Sequence, residues 1–115
     1  MGTTNAKDYL GKHVEVTIDR QLGTKHPKWD FVYESNYGFI PGTISTDGEE
    51  LDAYLLGLDK PVESGEGKVI AIIHRTNDDD DDKLIVSANK NDIDNKTIRD
   101  ATNFQEKFFE SVIIR

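Results

Sequence analysis

A chain of 115 residues without cysteine has room for one hydrophobic core and can build neither a disulfide framework nor a thiolate zinc site. Its 22 acidic side chains outnumber 14 basic ones, and the formal charge of −8 disfavours nucleic acid and anionic membranes as partners while leaving metal cations attractive. No apolar run approaches the roughly 20 residues of a membrane span. The N-terminus lacks the basic and apolar regions of a signal peptide. The expectation is therefore one domain over residues 1–115, in the cytoplasm.

Taken in order, residues 1–11 read as a loose start. From His13 to Ile18 polar and apolar residues alternate with the period of a half-buried strand, and Asp19 and Arg20 follow it. Gln21–Lys28 is a polar loop broken by Gly23 and Pro27. It gathers the cations Arg20, Lys25 and Lys28 with His26, which could hold an anionic ligand or simply pair with surface acids. Trp29–Tyr33 is aromatic-rich and reads as a short strand; Glu34–Gly42 reads as a turn-rich strand segment in which Tyr37, taken alone, is a core aromatic.

The stretch Asp47-Gly48-Glu49-Glu50-Leu51-Asp52 crowds carboxylates where a loop enters the apolar run Ala53–Leu56. Gly48 permits a bend that other residues resist. Crowded carboxylates repel unless cations neutralise them, and hard oxygen-seeking ions such as Mg2+ suit them. A solvated acidic turn is the plainer alternative. Gly65-Glu66-Gly67 reads as a tight turn before Lys68–His74, the most apolar strand. Five aspartates, Asp78 to Asp82, then lead through Lys83 into Leu84–Val86. This run lacks the glycine and final glutamate of an EF-hand loop. Both acidic stretches adjoin apolar strands and could meet at one end of the fold. Ile98, Ala101, Gln105, Phe108 and Val112 recur at helical spacing, with Asp92, Asp94 or Asn95 as the N-cap. The fold class expected is mainly β with one C-terminal helix.

Asn36-Tyr37-Gly38-Phe39-Ile40-Pro41 is similar to the N-Y-G-[YF]-[IV]-P motif of the soluble family I inorganic pyrophosphatases. Asp47–Asp52 resembles that family's D-G-D-P-x-D signature, Gly67-Lys68-Val69-Ile70 its G-x-V-I strand, and Asp81-Asp82-Lys83-Leu84 its D-x-K-[LIV] motif. The resemblance implies an OB-like five-stranded β-barrel and Mg2+-dependent hydrolysis of pyrophosphate to two phosphates by a metal-activated water, with Mn2+ as an alternative ion. It implies Asp47, Asp52 and Asp81 as metal ligands. Asp78 is a fourth, with Asn77 its competitor. It implies phosphate contacts from Tyr37 and Lys83, with Arg20 and Lys25 the available basic partners. Glu49, beside Asp47 and Asp52, would accept the proton of the attacking water, and Asp19 stands near the site. Glu49 and Glu50 replace the middle aspartate and the proline of the signature, and the C-terminal tyrosine–lysine pair is absent.

The expected partners are pyrophosphate and divalent metal ions, with neither nucleic acid nor membrane, and a homo-oligomer is left open. Two rival readings remain: a non-catalytic module that binds metal and phosphate, and a hydrolase of another phosphoanhydride. An OB module for single-stranded nucleic acid would need a basic groove with exposed aromatics, and the charge balance argues against it.

Overall fold

The computed structural model describes residues 5–44, 48–76, 82–89 and 91–115. After a 3-10 turn at Ala6–Tyr9, where a loose start was expected, come β1 (His13–Arg20), β2 (Asn36–Phe39), β3 (Asp52–Leu56), β4 (Ser64–Arg75), β5 (Asp82–Ser87), α1 (Asn95–Glu106) and β6 (Ser111–Ile114). Three strands follow the pattern their sequence carries. β1 alternates apolar residues inward and polar residues outward, and β3 and β5 are buried almost throughout.

The strands form one six-stranded sheet in the order β1-β2-β3-β5-β4-β6. All neighbours run antiparallel except β3 and β5, which are parallel. β4 is long enough to serve three partners. Lys68–His74 pairs with β5, while on the opposite edge Ser64–Lys68 pairs with β1 and Ile72–Arg75 with β6. The five-stranded OB-like barrel expected from the sequence is thus corrected to this six-stranded sheet. The mainly β character with one helix near the C-terminus stands.

Three local expectations also change. The helical spacing that ran on to Val112 ends at Glu106, and Ser111–Ile114 becomes the edge strand β6. Trp29–Tyr33 makes one isolated bridge, Lys25 to Val32, instead of a strand. Gly65 and Gly67 lie inside β4 rather than in a turn.

Two apolar clusters hold the sheet. Val14, Val16 and Ile18 of β1 pack with Ala53, Leu55, Val69, Ile72, Leu84 and Val86 in one. The other joins Tyr54, Leu56, Ala71, Ile73 and Ile85 to Ile98 and Phe104 of α1. Asp94 caps α1, its side chain accepting from the Thr97 N–H at 2.8 Å. Where β2 crosses β1 the backbones approach so closely that a Cβ on Gly38 would lie 1.8 Å from the Thr17 carbonyl oxygen. Backbone cannot swing aside as a side chain can. Gly38→Ala is therefore expected to cost toward the upper end of the ~1–3 kcal/mol of overpacking, seen as a lower urea midpoint with an unchanged m-value.

Candidate active site

The face of the sheet under α1 continues past the helix into a polar group at the ends of β2, β3 and β5. Side chains at paired positions share a face. Asp52 opens β3 and pairs in register with Lys83 of β5, and Tyr37 of β2 pairs with Tyr54, two residues beyond Asp52. The two apolar strands fix these positions, since a one-residue slip would turn Leu84 and Ala53 out of the core.

The contacts are direct. The Lys83 ammonium, with only 4% of its side chain exposed, ion-pairs with the Asp52 carboxylate. It also stands 5.9 Å from the centroid of the Tyr37 ring. The Tyr37 hydroxyl donates to Asp52, and burial, then the charge of Asp52, push its pKa well above the ordinary phenol value. Tyr37 is thus a neutral hydrogen-bond donor at any ordinary pH.

Asp19 joins through a bulge. Ile18 pairs with Gly38 but Arg20 with Tyr37, so Asp19 is the extra residue and the strand is re-aimed there. Its carboxyl is raised above the usual value by burial; Arg20 opposes this, and the charge of Asp52 adds to it. Arg20 hydrogen-bonds the Tyr33 hydroxyl, which donates in turn to Gln105 of α1 at 3.2 Å.

The remaining predicted residues divide three ways. Glu49 is exposed beside Gly48, whose φ of +87° supplies the bend expected there. Lys25 ion-pairs with Asp30 of its own exposed loop at 3.6 Å. Asp47, Asp78 and Asp81, with the competing Asn77, lie outside the described residues. At the end of the acidic run, Asp82 instead hydrogen-bonds Nδ1 of His74 at 2.6 Å.

Among the described residues no three acidic or histidine side chains are grouped so as to hold a metal ion. The donor chemistry nonetheless fits a hard divalent cation. Asp19 and Asp52 are both oxygen donors, they feel one another's charge, and one is partly desolvated. Such a pair gains most from a cation.

Sequence reasoning missed a second polar network beside this group. Arg75, at the end of β4, donates to Glu106 of α1 through Nε at 3.0 Å and a terminal nitrogen at 2.7 Å. Glu106 also accepts from Tyr54 at 2.6 Å, and Gln105 donates to the Tyr54 oxygen at 2.7 Å. The signal available was a glutamate on the buried stripe of the helix, four residues beyond Thr102.

The fold has solved counterparts. It is similar to that of an inorganic pyrophosphatase from Ehrlichia chaffeensis, with a TM-score of 0.68 at 18% identity over 96% of this chain and 87% of that one. It is also similar to that of the inorganic pyrophosphatase from Thermus thermophilus, with a TM-score of 0.57 at 18% identity over 100% of this chain and 86% of that one. The model of the inorganic pyrophosphatase family matches residues 4–113, and the chain belongs to that family. An inorganic pyrophosphatase of Saccharolobus solfataricus is 28% identical over 98% of this chain, and one of Neisseria meningitidis serogroup A is 38% identical over 61% of it. The chain spans 65% and 43% of the lengths of these two relatives.

Proposed function

We propose that this chain hydrolyses inorganic pyrophosphate to two phosphates in a Mg2+-dependent reaction. The observation that carries the reading is the juxtaposition of Asp52 and Lys83 on register partners, with the Tyr37 hydroxyl donating to Asp52. These residues come from separate motifs of the family the chain belongs to. The same register sets the strand ends that follow the two acidic stretches side by side, which supports convergence of the stretches themselves.

The roles follow from donor chemistry. Asp52 and Asp19, with Asp47, Asp78 and Asp81, would hold Mg2+, or Mn2+ in its place. When bound, the ion neutralises phosphate oxygens and lowers the pKa of water. With a cation on Asp52, Lys83 and the Tyr37 hydroxyl, which otherwise both donate to that carboxylate, would turn to the phosphates, with Arg20 and Lys25 as further cations. Lys83 steadies the charge that grows on the leaving phosphate. Glu49 accepts the proton of the attacking water. In this reading residues 1–115 act as one cytoplasmic domain with no nucleic-acid or membrane partner, in keeping with the charge of −8. Among the described residues no helix is long and apolar enough to cross a membrane.

The test is phosphate release from pyrophosphate with Mg2+ and with Mn2+. Glu49→Gln keeps size and polarity but removes the base, so release is expected to fall about 10²-fold. Equal rates would take Glu49 out of the mechanism. No release by the unaltered chain with metal bound would leave the binding-module reading.

A further inference from the structure

Glu106 sets the direction of a series of hydrogen bonds that runs from α1 to Arg20. A carboxylate only accepts, so the Tyr54 hydroxyl must donate to it, at 2.6 Å. Burial, then the charge of Glu106, raise that hydroxyl well above the ordinary phenol value, and the proton stays on Tyr54. With its proton committed, the Tyr54 oxygen can only accept, and Gln105 donates to it through Nε2 at 2.7 Å. This turns the other end of the amide, Oε1, toward Tyr33, whose hydroxyl donates to it at 3.2 Å. The Tyr33 oxygen then has only lone pairs to offer, and the donor that meets it is the Arg20 guanidinium. Each bond from Arg20 through Tyr33, Gln105 and Tyr54 to Glu106 thus has one permitted direction.

The cation held at the far end differs from the other two beside the site. Lys83 has Asp52 as its counter-charge, and Arg75 has Glu106. Arg20 is half-buried, and among the described residues it makes no ion pair. Besides Tyr33 it donates from Nη1 to the Asp19 backbone oxygen at 3.0 Å. Its charge acts on the Asp19 carboxyl, which also feels Asp52, so the guanidinium borders the acidic pair. N–H groups of its planar fork remain for an anion there. A long side chain has many rotamers, and the Tyr33 contact selects among them. Gln105 and Arg75 also line a cavity of about 410 Å³ with Trp29, Phe31, Tyr37 and Phe108. A substitution at Gln105 therefore meets open space on one side rather than packed core.

We propose that Gln105 of α1 is a positioning residue that, through Tyr33, holds the Arg20 guanidinium where a phosphate of the substrate meets it. This role takes its ligand from the pyrophosphate reading but needs no turnover.

The probe is methylenediphosphonate, a pyrophosphate analogue whose P–C–P bridge water cannot cleave, titrated by calorimetry with Mg2+ present. Arg20→Ala is expected to weaken it about 10–100-fold, the scale of a hydrogen bond from a charged group. Gln105→Leu and Tyr33→Phe should each weaken it about tenfold, because Arg20 is still present but no longer held. In the Arg20→Ala background the same changes should each add less than about twofold. A merely structural role for Gln105 does not produce that non-additivity. In turnover, Gln105→Leu should raise KM for pyrophosphate about tenfold and leave kcat within about twofold. Tyr33→Phe is the smaller change in shape and carries the same cycle if Gln105→Leu does not fold. Unchanged affinity in Gln105→Leu or in Arg20→Ala, equal losses from Gln105→Leu with and without Arg20, or no binding of the diphosphonate by the unaltered chain would each overturn the proposal. If the diphosphonate binds with the expected pattern and pyrophosphate releases no phosphate, the hydrolase reading fails and the positioning of Arg20 stands.

Discussion

Asp52→Asn is expected to lower phosphate release from pyrophosphate on the order of 10³-fold, the scale of losing a preorganised electrostatic group. The change is small in shape and large in charge. Asp52 neutralises the buried Lys83 ammonium, accepts the Tyr37 hydroxyl and faces Asp19. An amide can still accept from Tyr37 but removes the carboxylate charge that faces the Lys83 ammonium. Some loss of stability is therefore expected as well. Rates must be compared at a temperature where both proteins are folded. The double variant Asp52→Asn/Lys83→Met separates the effects: removing the ammonium together with the carboxylate should restore stability but not activity. Mg2+ should raise the melting temperature of the unaltered chain by binding only the folded state. Asp52→Asn should lose most of that rise. If single and unaltered proteins release phosphate at the same rate, Asp52 has no part in the chemistry.

The strands were legible wherever one period dominated. The alternation of His13–Ile18 and the apolar runs of Ala53–Leu56, Lys68–His74 and Leu84–Val86 each became a strand. The helix start was legible because a cap is a local device, and Asp94 supplies it. The helix end was not. Phe108 and Val112 keep the spacing, but the chain turns after Glu106, and the three-residue apolar run Val112–Ile114 packs as well against a sheet edge as on a helix. Trp29–Tyr33 has strand composition, yet the Trp29 and Phe31 rings line a cavity and Tyr33 packs in the core, uses that composition does not distinguish from β pairing. Gly65 and Gly67 punctuate a turn elsewhere; here a Cβ on Gly67 would lie 2.1 Å from the Ser87 carbonyl oxygen, so close strand approach is the reason for glycine.

Sheet closure was the largest miss. It depends on which edges of β4 meet β1, β5 and β6, and no local pattern encodes long-range pairing. For the candidate site, Asp52, Lys83 and Tyr37 could be grouped only through the resemblance. Their proximity comes from the parallel β3–β5 register, 31 residues apart in sequence for Asp52 and Lys83. Arg75 and Glu106 had no such motif to mark them.

That unmarked pair carries the largest expected effect on stability. Glu106→Gln preserves the side chain's shape but removes the charge facing Arg75, and both residues are buried, Glu106 at 4% exposure and Arg75 at 6%. Arg75 cannot shed its proton to escape the imbalance. Breaking one side of a buried pair costs about 3–5 kcal/mol. The effect should appear as a lower urea midpoint with the m-value unchanged. Tyr54 softens the loss only slightly, because Gln105 still donates to its oxygen while its own hydroxyl must find the new amide. The double variant Arg75→Met/Glu106→Leu is the control for mechanism. Apolar residues of similar volume have no charge to desolvate, so this variant should recover most of the stability that the single change loses. The cavity beside Arg75 sets the competing outcome. If Glu106→Gln costs less than about 1 kcal/mol, a surface-like value, then water entering from the cavity solvates the guanidinium. The attachment of α1 to the sheet then rests on Ile98 and Phe104 rather than on the ion pair.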